Sequence, residues 1–124
     1  MAGESILVVE DNPMNMKLVR VLLEQEGYVV TEAMDAEEAL EILKYRDFDL
    51  IIMDIQLPKM DGLTLTRLLK KNPKTRHIPI VALTAHAMKG DEQKALAAGC
   101  EGYIAKPIDT REFSRIIASF LRPS

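Results

Sequence analysis

The chain has 124 residues, of which 48% are hydrophobic and 28% are charged, and its formal net charge is -3 at pH 7. This length fits one domain with a sizeable core, and the acidic balance provides no basic surface for nucleic acid. No apolar run approaches the roughly 20 residues of a membrane helix, and the first residues lack the features of a signal peptide. The single cysteine, Cys100, excludes an intramolecular disulfide and a cysteine-cluster metal site. We therefore expect one domain over residues 1–124, in the cytoplasm, with neither nucleic acid nor membrane as a partner.

Apolar runs alternate with helical patterns along the whole chain. The first strand is predicted in "SILVVED" (5–11). A helix follows, with Asn12 as its N-cap, Pro13 at its first position and Gly27 beyond its end. Its buried face is predicted to consist of Met14, Leu18, Val21 and Leu22.

The second strand, in 28–33, is mixed enough in polarity to lie at a sheet edge. Asp35 and Glu38 are placed to cap the second helix, in a variant of the capping box. The buried face of this helix is predicted to consist of Ala36, Ala39, Leu40 and Leu43. The third strand is the apolar run in 49–54, which ends at an aspartate.

After a loop containing proline and glycine, the third helix is marked by Leu65, Leu68 and Leu69. The fourth strand is predicted in 78–84. An alanine-rich helix follows over roughly 86–98 and ends at Gly99. The fifth strand is predicted in 101–107.

The last helix is capped by Asp109 and Glu112. Its buried face is predicted to consist of Phe113, Ile116, Ile117, Phe120 and Leu121. Strands that alternate with helices indicate an α/β protein with a parallel sheet covered on both faces. Right-handed crossovers favour a doubly wound, five-stranded sheet of order 2-1-3-4-5 with five helices, of the flavodoxin type.

Polar side chains follow four neighbouring strands of this sheet, at the edge where open α/β sheets bind their ligands. They are Glu10 and Asp11 after strand one, Asp54 after strand three, Thr84 after strand four and Lys106 after strand five. Three carboxylates packed together repel, and a hard cation such as Mg²⁺ would relieve this. The set suits phosphoryl transfer, with a carboxylate nucleophile and with a metal, an ammonium and a hydroxyl to hold the phosphoryl oxygens.

Each of these residues also has an ordinary structural explanation. Asp54, Glu10, Asp11 and Thr84 could each simply cap a helix or a turn, and Lys106 could be a solvated surface residue. A functional site is absent only if all of these explanations are true at the same time, on four neighbouring strands. That coincidence is improbable.

Four segments carry a resemblance to a known family: "VVEDN", "LIIMDIQLPKMDG", "IPIVALTAHA" and "GYIAKPI". In order and spacing they resemble the motifs of response-regulator receiver domains, which have a CheY-like fold. The similarity covers the chain from about residue 5 to about residue 121. The amino-acid sequences of the motifs most resemble those of single-domain response regulators and of receiver domains attached to hybrid histidine kinases.

The resemblance implies that Asp54 is the phosphoacceptor and also a metal ligand. Asp11 would bind Mg²⁺ directly, Glu10 through water, and Gln56 through its backbone carbonyl. Mn²⁺ is a possible substitute. A chain of this family would catalyse its own phosphorylation and dephosphorylation rather than a metabolic reaction.

The resemblance also assigns the switch residues. Lys106 would contact Asp54 and later the phosphoryl group, Thr84 would move to a phosphoryl oxygen, and Tyr103 would change rotamer. The Lys106–Pro107 peptide bond would be cis. Gln56 and His86 would flank the phosphoryl group and set its lifetime.

The expected partners are a histidine kinase or histidine phosphotransfer protein as the donor, and a downstream protein bound at the face of helix four, strand five and helix five. We expect no output domain after Leu121, and the chain is then either a stand-alone regulator or a receiver domain taken from a hybrid kinase. A haloacid-dehalogenase-type phosphatase would need a second aspartate at the position of Gln56. A flavodoxin would need a phosphate-binding loop after strand one, where this chain is acidic. A protein-binding module with vestigial phosphorylation would not need the full set of site residues.

Overall fold

The computed structural model describes residues 3–84 and 90–121. Over these residues, five strands alternate with five helices in one regular order. They are β1 (Ser5–Val9), α1 (Pro13–Gln25), β2 (Val29–Ala33), α2 (Ala36–Tyr45), β3 (Leu50–Asp54), α3 (Gly62–Lys71), β4 (Ile80–Thr84), α4 (Asp91–Ala98), β5 (Gly102–Ala105) and α5 (Thr110–Leu121). All strand pairs are parallel, and the order in the sheet is β2-β1-β3-β4-β5. The predicted fold and strand order are therefore confirmed.

The strands separate two apolar cores, because successive side chains along a strand point to opposite faces of the sheet. In β3, Ile51 and Met53 belong to the core covered by α2, α3 and α4, whereas Leu50 and Ile52 belong to the core covered by α1 and α5. All four side chains are buried. The continuous apolar run in β3 thus reflects a central strand that is covered on both faces.

The predicted caps of α1, α2 and α5 are present. The side chain of Asn12 accepts hydrogen bonds from the backbone N–H groups of Met14 and Asn15, at 2.9 and 3.1 Å. In α2, Asp35 accepts from the N–H of Glu38. Asp109 accepts from the N–H groups of Arg111 and Glu112 at the start of α5. Each cap satisfies N–H groups that the helix itself leaves without partners.

The predicted buried face of α1 was wrong except at Leu22. The helix buries Met16, Val19, Leu22 and Leu23. Met14 is 81% exposed, and Leu18 and Val21 are also exposed. Because apolar residues occupy two stripes of this helix, helical spacing alone did not distinguish the core stripe from the solvent stripe.

The fourth helix was predicted over 86–98, and its described part begins at Asp91. It ends at Ala98, where Gly99 adopts a left-handed φ of 116°, as the C-terminal glycine predicted. Residues 86–89 of the prediction lie outside the described residues. In the described part of the chain, no helix is long and apolar enough to cross a membrane.

Candidate functional site

Three carboxylates meet where β1 and β3 end. One oxygen atom from each of Glu10, Asp11 and Asp54 lies within 4.8 Å of the other two. β1 and β3 are neighbours in the sheet, so the residues that end them are brought together. Glu10 and Asp54 are buried, and Asp11 is exposed. The predicted acidic cluster is thus formed, with one side open to solvent.

Lys106 joins this cluster from the far side of β4. Its ammonium nitrogen Nζ lies 3.2 Å from Oε1 of Glu10 and 3.3 Å from Oδ2 of Asp54. The backbone N–H of Lys106 donates a 2.7 Å hydrogen bond to the carbonyl of Thr84, which holds Lys106 against β4. The Lys106–Pro107 peptide bond is cis. One ammonium therefore faces two buried carboxylates.

The pKa of Glu10 reflects its burial and the charges around it. Its pKa is raised from 4.5 to about 7, first by burial and then by a hydrogen bond with Asp54 and the negative charge of that residue. The N–H of Asn12, which donates to Oε2 at 3.1 Å, and the charge of Lys106 act in the opposite direction. The other oxygen, Oε1, is ion-paired with Lys106 but accepts no hydrogen bond from the described residues. The cluster therefore carries more negative charge than Lys106 alone neutralises.

This donor set fits a hard divalent cation. All three side chains offer carboxylate oxygens, which Mg²⁺ and Mn²⁺ prefer, and Asp11 provides an exposed path of entry. The buried Oε1 of Glu10 is ion-paired with Lys106 but accepts no hydrogen bond from the described part of the chain, so it retains capacity to accept one. Asp11, Asp54 and Glu10 are the residues that could hold such an ion.

The loop after β3 packs tightly against Asp54. The N–H of Gln56 donates to Oδ1 of Asp54 at 3.0 Å, and the N–H of Gly62 donates to the carbonyl of Ile55 at 2.8 Å. A Cβ atom on Gly62 would lie 2.2 Å from the backbone oxygen of Asp54, so only glycine fits there. The loop therefore contacts one oxygen of the Asp54 carboxylate, Oδ1, while Lys106 contacts the other, Oδ2.

The two predicted switch residues contact the first turn of α4. Thr84 is buried, and its hydroxyl donates to Oδ2 of Asp91 at 2.7 Å. Tyr103 is partly exposed, and a hydrogen bond to the carboxylate of Glu92 raises the pKa of its hydroxyl. Neither Asp91 nor Glu92 is distinctive in the sequence, because acidic residues are common in the first turn of any helix.

The predicted site residues thus fall into two groups. Glu10, Asp11, Asp54 and Lys106 are in one cluster, with the N–H of Gln56 beside it. Thr84 lies on the strand next to β3, with its hydroxyl turned to Asp91 rather than to the cluster. His86, predicted to affect the phosphoryl lifetime, lies outside the described residues.

Comparison with known proteins agrees with this geometry. Residues 6–118 match the sequence profile of the response regulator receiver domain. The polar-differentiation response regulators DivK of Brucella ovis and of Brucella abortus strain 2308 are each 48% identical over 118 residues, which cover 95% of this chain and 96% of theirs.

Solved structures show the same likeness. The receiver domain of the sensor histidine kinase PA1611 from Pseudomonas aeruginosa PAO1, which has a magnesium ion coordinated in its active-site cleft, is 39% identical, with a TM-score of 0.89. The alignment covers 97% of this chain and 98% of that one. The chemotaxis response regulator CheY4 of Vibrio cholerae is 27% identical, with a TM-score of 0.90 and coverage of 97% and 100%.

Proposed function

Because this chain belongs to the response regulator receiver domain family of two-component signalling, we propose that it accepts a phosphoryl group on Asp54 in a Mg²⁺-dependent reaction. One observation carries the proposal: the buried Asp54 carboxylate lies between the acidic pair Glu10 and Asp11 and the ammonium of Lys106. An ordinary helix cap would not require three carboxylates and a cation in one place. We also place the reaction in the cytoplasm.

In the proposed step, a carboxylate oxygen of Asp54 attacks the phosphorus of a phosphohistidine on a histidine kinase or histidine phosphotransfer protein. The new P–O bond forms as the P–N bond breaks, and the electron pair of that bond returns to the donor imidazole. Bound Mg²⁺, or Mn²⁺ in its place, would neutralise charge on the transferred oxygens. Asp11 and Asp54 would hold the ion directly, with the carbonyl of Gln56, and Glu10 would act through water.

The residues around Asp54 have distinct roles in this proposal. Lys106, already 3.3 Å from Asp54, neutralises the charge that the phosphoryl group adds. Thr84 donates to a phosphoryl oxygen after transfer. The reverse step is attack by water on the acyl phosphate, and Gln56 and His86 set how easily water reaches it.

The exposed apolar stripe of α1 fits the protein donor. Met14, Leu18 and Val21 recur at helical spacing on the solvent side, and Met14 is 81% exposed. Met14 follows Asp11 by only three residues, so the stripe begins beside the carboxylate cluster. A donor helix seated on it would present its phosphohistidine at Asp54, and burial of this apolar surface would favour the complex.

The proposed output surface is the face of α4, β5 and α5. A shallow groove of about 300 Å³ lies on the part of this face that β5, α5 and the loop between them form. Its lining residues are Tyr103, Ile104, Ala105, Pro107, Asp109, Glu112 and Ile116. Tyr103 and Pro107 link the groove to the site, because Pro107 follows Lys106 in the chain. A change at the site would therefore alter the shape of the surface that a downstream protein contacts.

The experiment is labelling with a small phosphodonor such as acetyl phosphate, followed by intact-mass measurement. We expect one added phosphoryl group with Mg²⁺ or Mn²⁺, none with a chelator, and none for Asp54→Asn. Asp61→Asn is the matched control, since Asp61 is an exposed carboxylate that caps α3. Undiminished labelling of the Asp54 variant, or labelling that ignores the metal, would refute the proposal.

A further inference from the structure

The hydroxyl of Thr84 has a single proton to donate. In the structure that proton goes to Oδ2 of Asp91, at 2.7 Å, from a side chain that is 1% exposed. A hydrogen bond to a carboxylate is shorter and stronger than one between neutral groups, and burial of the hydroxyl shields it from water. Thr84 cannot donate this proton to a phosphoryl oxygen and to Asp91 at once.

We propose that Asp91 is a positioning residue that holds the Thr84 hydroxyl away from Asp54 and so opposes phosphorylation-induced switching. This inference rests on the proposed function, because it needs Asp54 to accept a phosphoryl group. Asp91 interacts with Thr84 in the free state only, and a group that favours one of two states shifts the population towards that state. The affinity of the site for a phosphoryl group is lowered by the same factor.

A second interaction acts at the same turn. Glu92, the next residue along α4, interacts with Tyr103 on β5, and its carboxylate raises the pKa of the Tyr103 hydroxyl. Thr84 and Tyr103 lie on neighbouring strands, β4 and β5, and their side chains point to the face of the sheet that α4 covers. The first turn of α4 therefore holds Thr84 and lies beside Tyr103, and a movement of that turn changes the surroundings of both residues.

The start of α4 is suited to such movement. The residue before it, Gly90, has a left-handed φ of 78° and provides no side-chain cap. The helix is eight residues long, and Ala95 and Ala98 are its buried residues. Two alanine side chains bury little apolar surface, so the hydrogen bond of Asp91 contributes to fixing this turn.

The test uses beryllofluoride with Mg²⁺, a stable mimic of a phosphoryl group on a carboxylate, and measures its dissociation constant by NMR. Hydrogen bonds to charged groups contribute enough free energy for about a tenfold effect. We therefore expect Asp91→Ala to bind the mimic about tenfold more tightly than the wild type. In a Thr84→Ala background, the same substitution should change nothing.

Glu37→Ala is the matched control, because Glu37 is an exposed acidic residue in the first turn of α2 whose charged partner is Lys59. It should leave the dissociation constant unchanged. If Asp91→Ala gives no gain, or an equal gain without the Thr84 hydroxyl, the positioning role is wrong. If the wild type itself does not bind the mimic, the proposed function fails instead.

Discussion

The ammonium nitrogen of Lys106 lies 3.3 Å from the carboxylate of Asp54, although β4 lies between the strands that lead to the two residues. The same nitrogen is 3.2 Å from Glu10. Both carboxylates are buried, so this single cation offsets the repulsion between two negative groups in a region of low polarity. A metal ion bound to the same carboxylates would share that task.

Replacing Lys106 by methionine leaves the two carboxylates without their cation. We expect the free energy of unfolding at pH 8, without metal, to fall by about 3 kcal/mol, because removal of one partner exposes the cost of the buried charges. Added Mg²⁺ should recover most of this loss and should bind more tightly than to the wild type. Urea unfolding with and without MgCl₂ measures both effects. Lys94→Met, which removes an exposed cation, is the control. An equal loss of unfolding free energy in the control would contradict the explanation. Failure of Mg²⁺ to restore the stability of Lys106→Met would also contradict it.

The raised pKa of Glu10 predicts a pH dependence of the metal-free protein. A carboxyl group whose folded-state pKa lies above its unfolded value of 4.5 stabilises the fold at low pH, and this stabilisation is lost as pH rises through about 7. Glu10→Gln, which cannot ionise, should remove that loss. The variant should therefore be more stable than the wild type at pH 8, by on the order of 3 kcal/mol, and similar to it near pH 4.5.

Urea unfolding at several pH values in a chelating buffer measures this difference. Glu32→Gln is a suitable control, since Glu32 lies on the edge strand β2, away from the cluster, in an ion pair with Arg20. If the free energies of unfolding of Glu10→Gln and of the wild type differ by a constant amount between pH 5 and 8, Glu10 is ionised throughout that range. Its pKa would then not be raised, which contradicts the prediction.

The stripe on α1 predicts a difference between two kinds of phosphodonor. Met14→Glu should slow transfer from a phosphorylated histidine phosphotransfer protein at least several-fold, because it places a charge in the apolar contact. Labelling by acetyl phosphate, which needs no docking surface, should be unchanged. Tyr45→Glu changes an equally exposed residue at the end of α2 and should affect neither rate. Equal slowing with both donors would place Met14 in the reaction site rather than in a docking surface.

The fold was predictable because each element has a local signal. Asn12, Asp35 and Asp109 occupy cap positions that their side chains satisfy in the structure. The apolar run that ends at Asp54 has the composition of a strand covered on both faces. In a parallel sheet of this strand order, the carboxyl ends of β1 and β3 lie side by side. This brings Asp54, Glu10 and Asp11 together.

The parts that sequence did not predict depend on tertiary contacts. The buried stripe of α1 runs through Met16 and Val19 rather than Met14, since the angle at which the helix packs decides between two apolar stripes. The contact of Asp91 with Thr84 joins the first turn of α4 to the end of β4, and the helical pattern predicted over 86–98 does not show which side chain makes it. An acidic first turn is also explained by a simple interaction with the helix dipole. Its contact with the switch residues could therefore be identified only from the structure.

The most direct test of the account is to locate the phosphoryl group in the chain. Protein labelled by acetyl phosphate and Mg²⁺ is reduced with borohydride, which converts an aspartyl phosphate to homoserine, and its peptides are sequenced by mass spectrometry. We predict homoserine at position 54 and unmodified aspartate at Asp11 and Asp61. Homoserine at another aspartate, or phosphate retained on His77, His86 or another side chain with Asp54 intact, would contradict it.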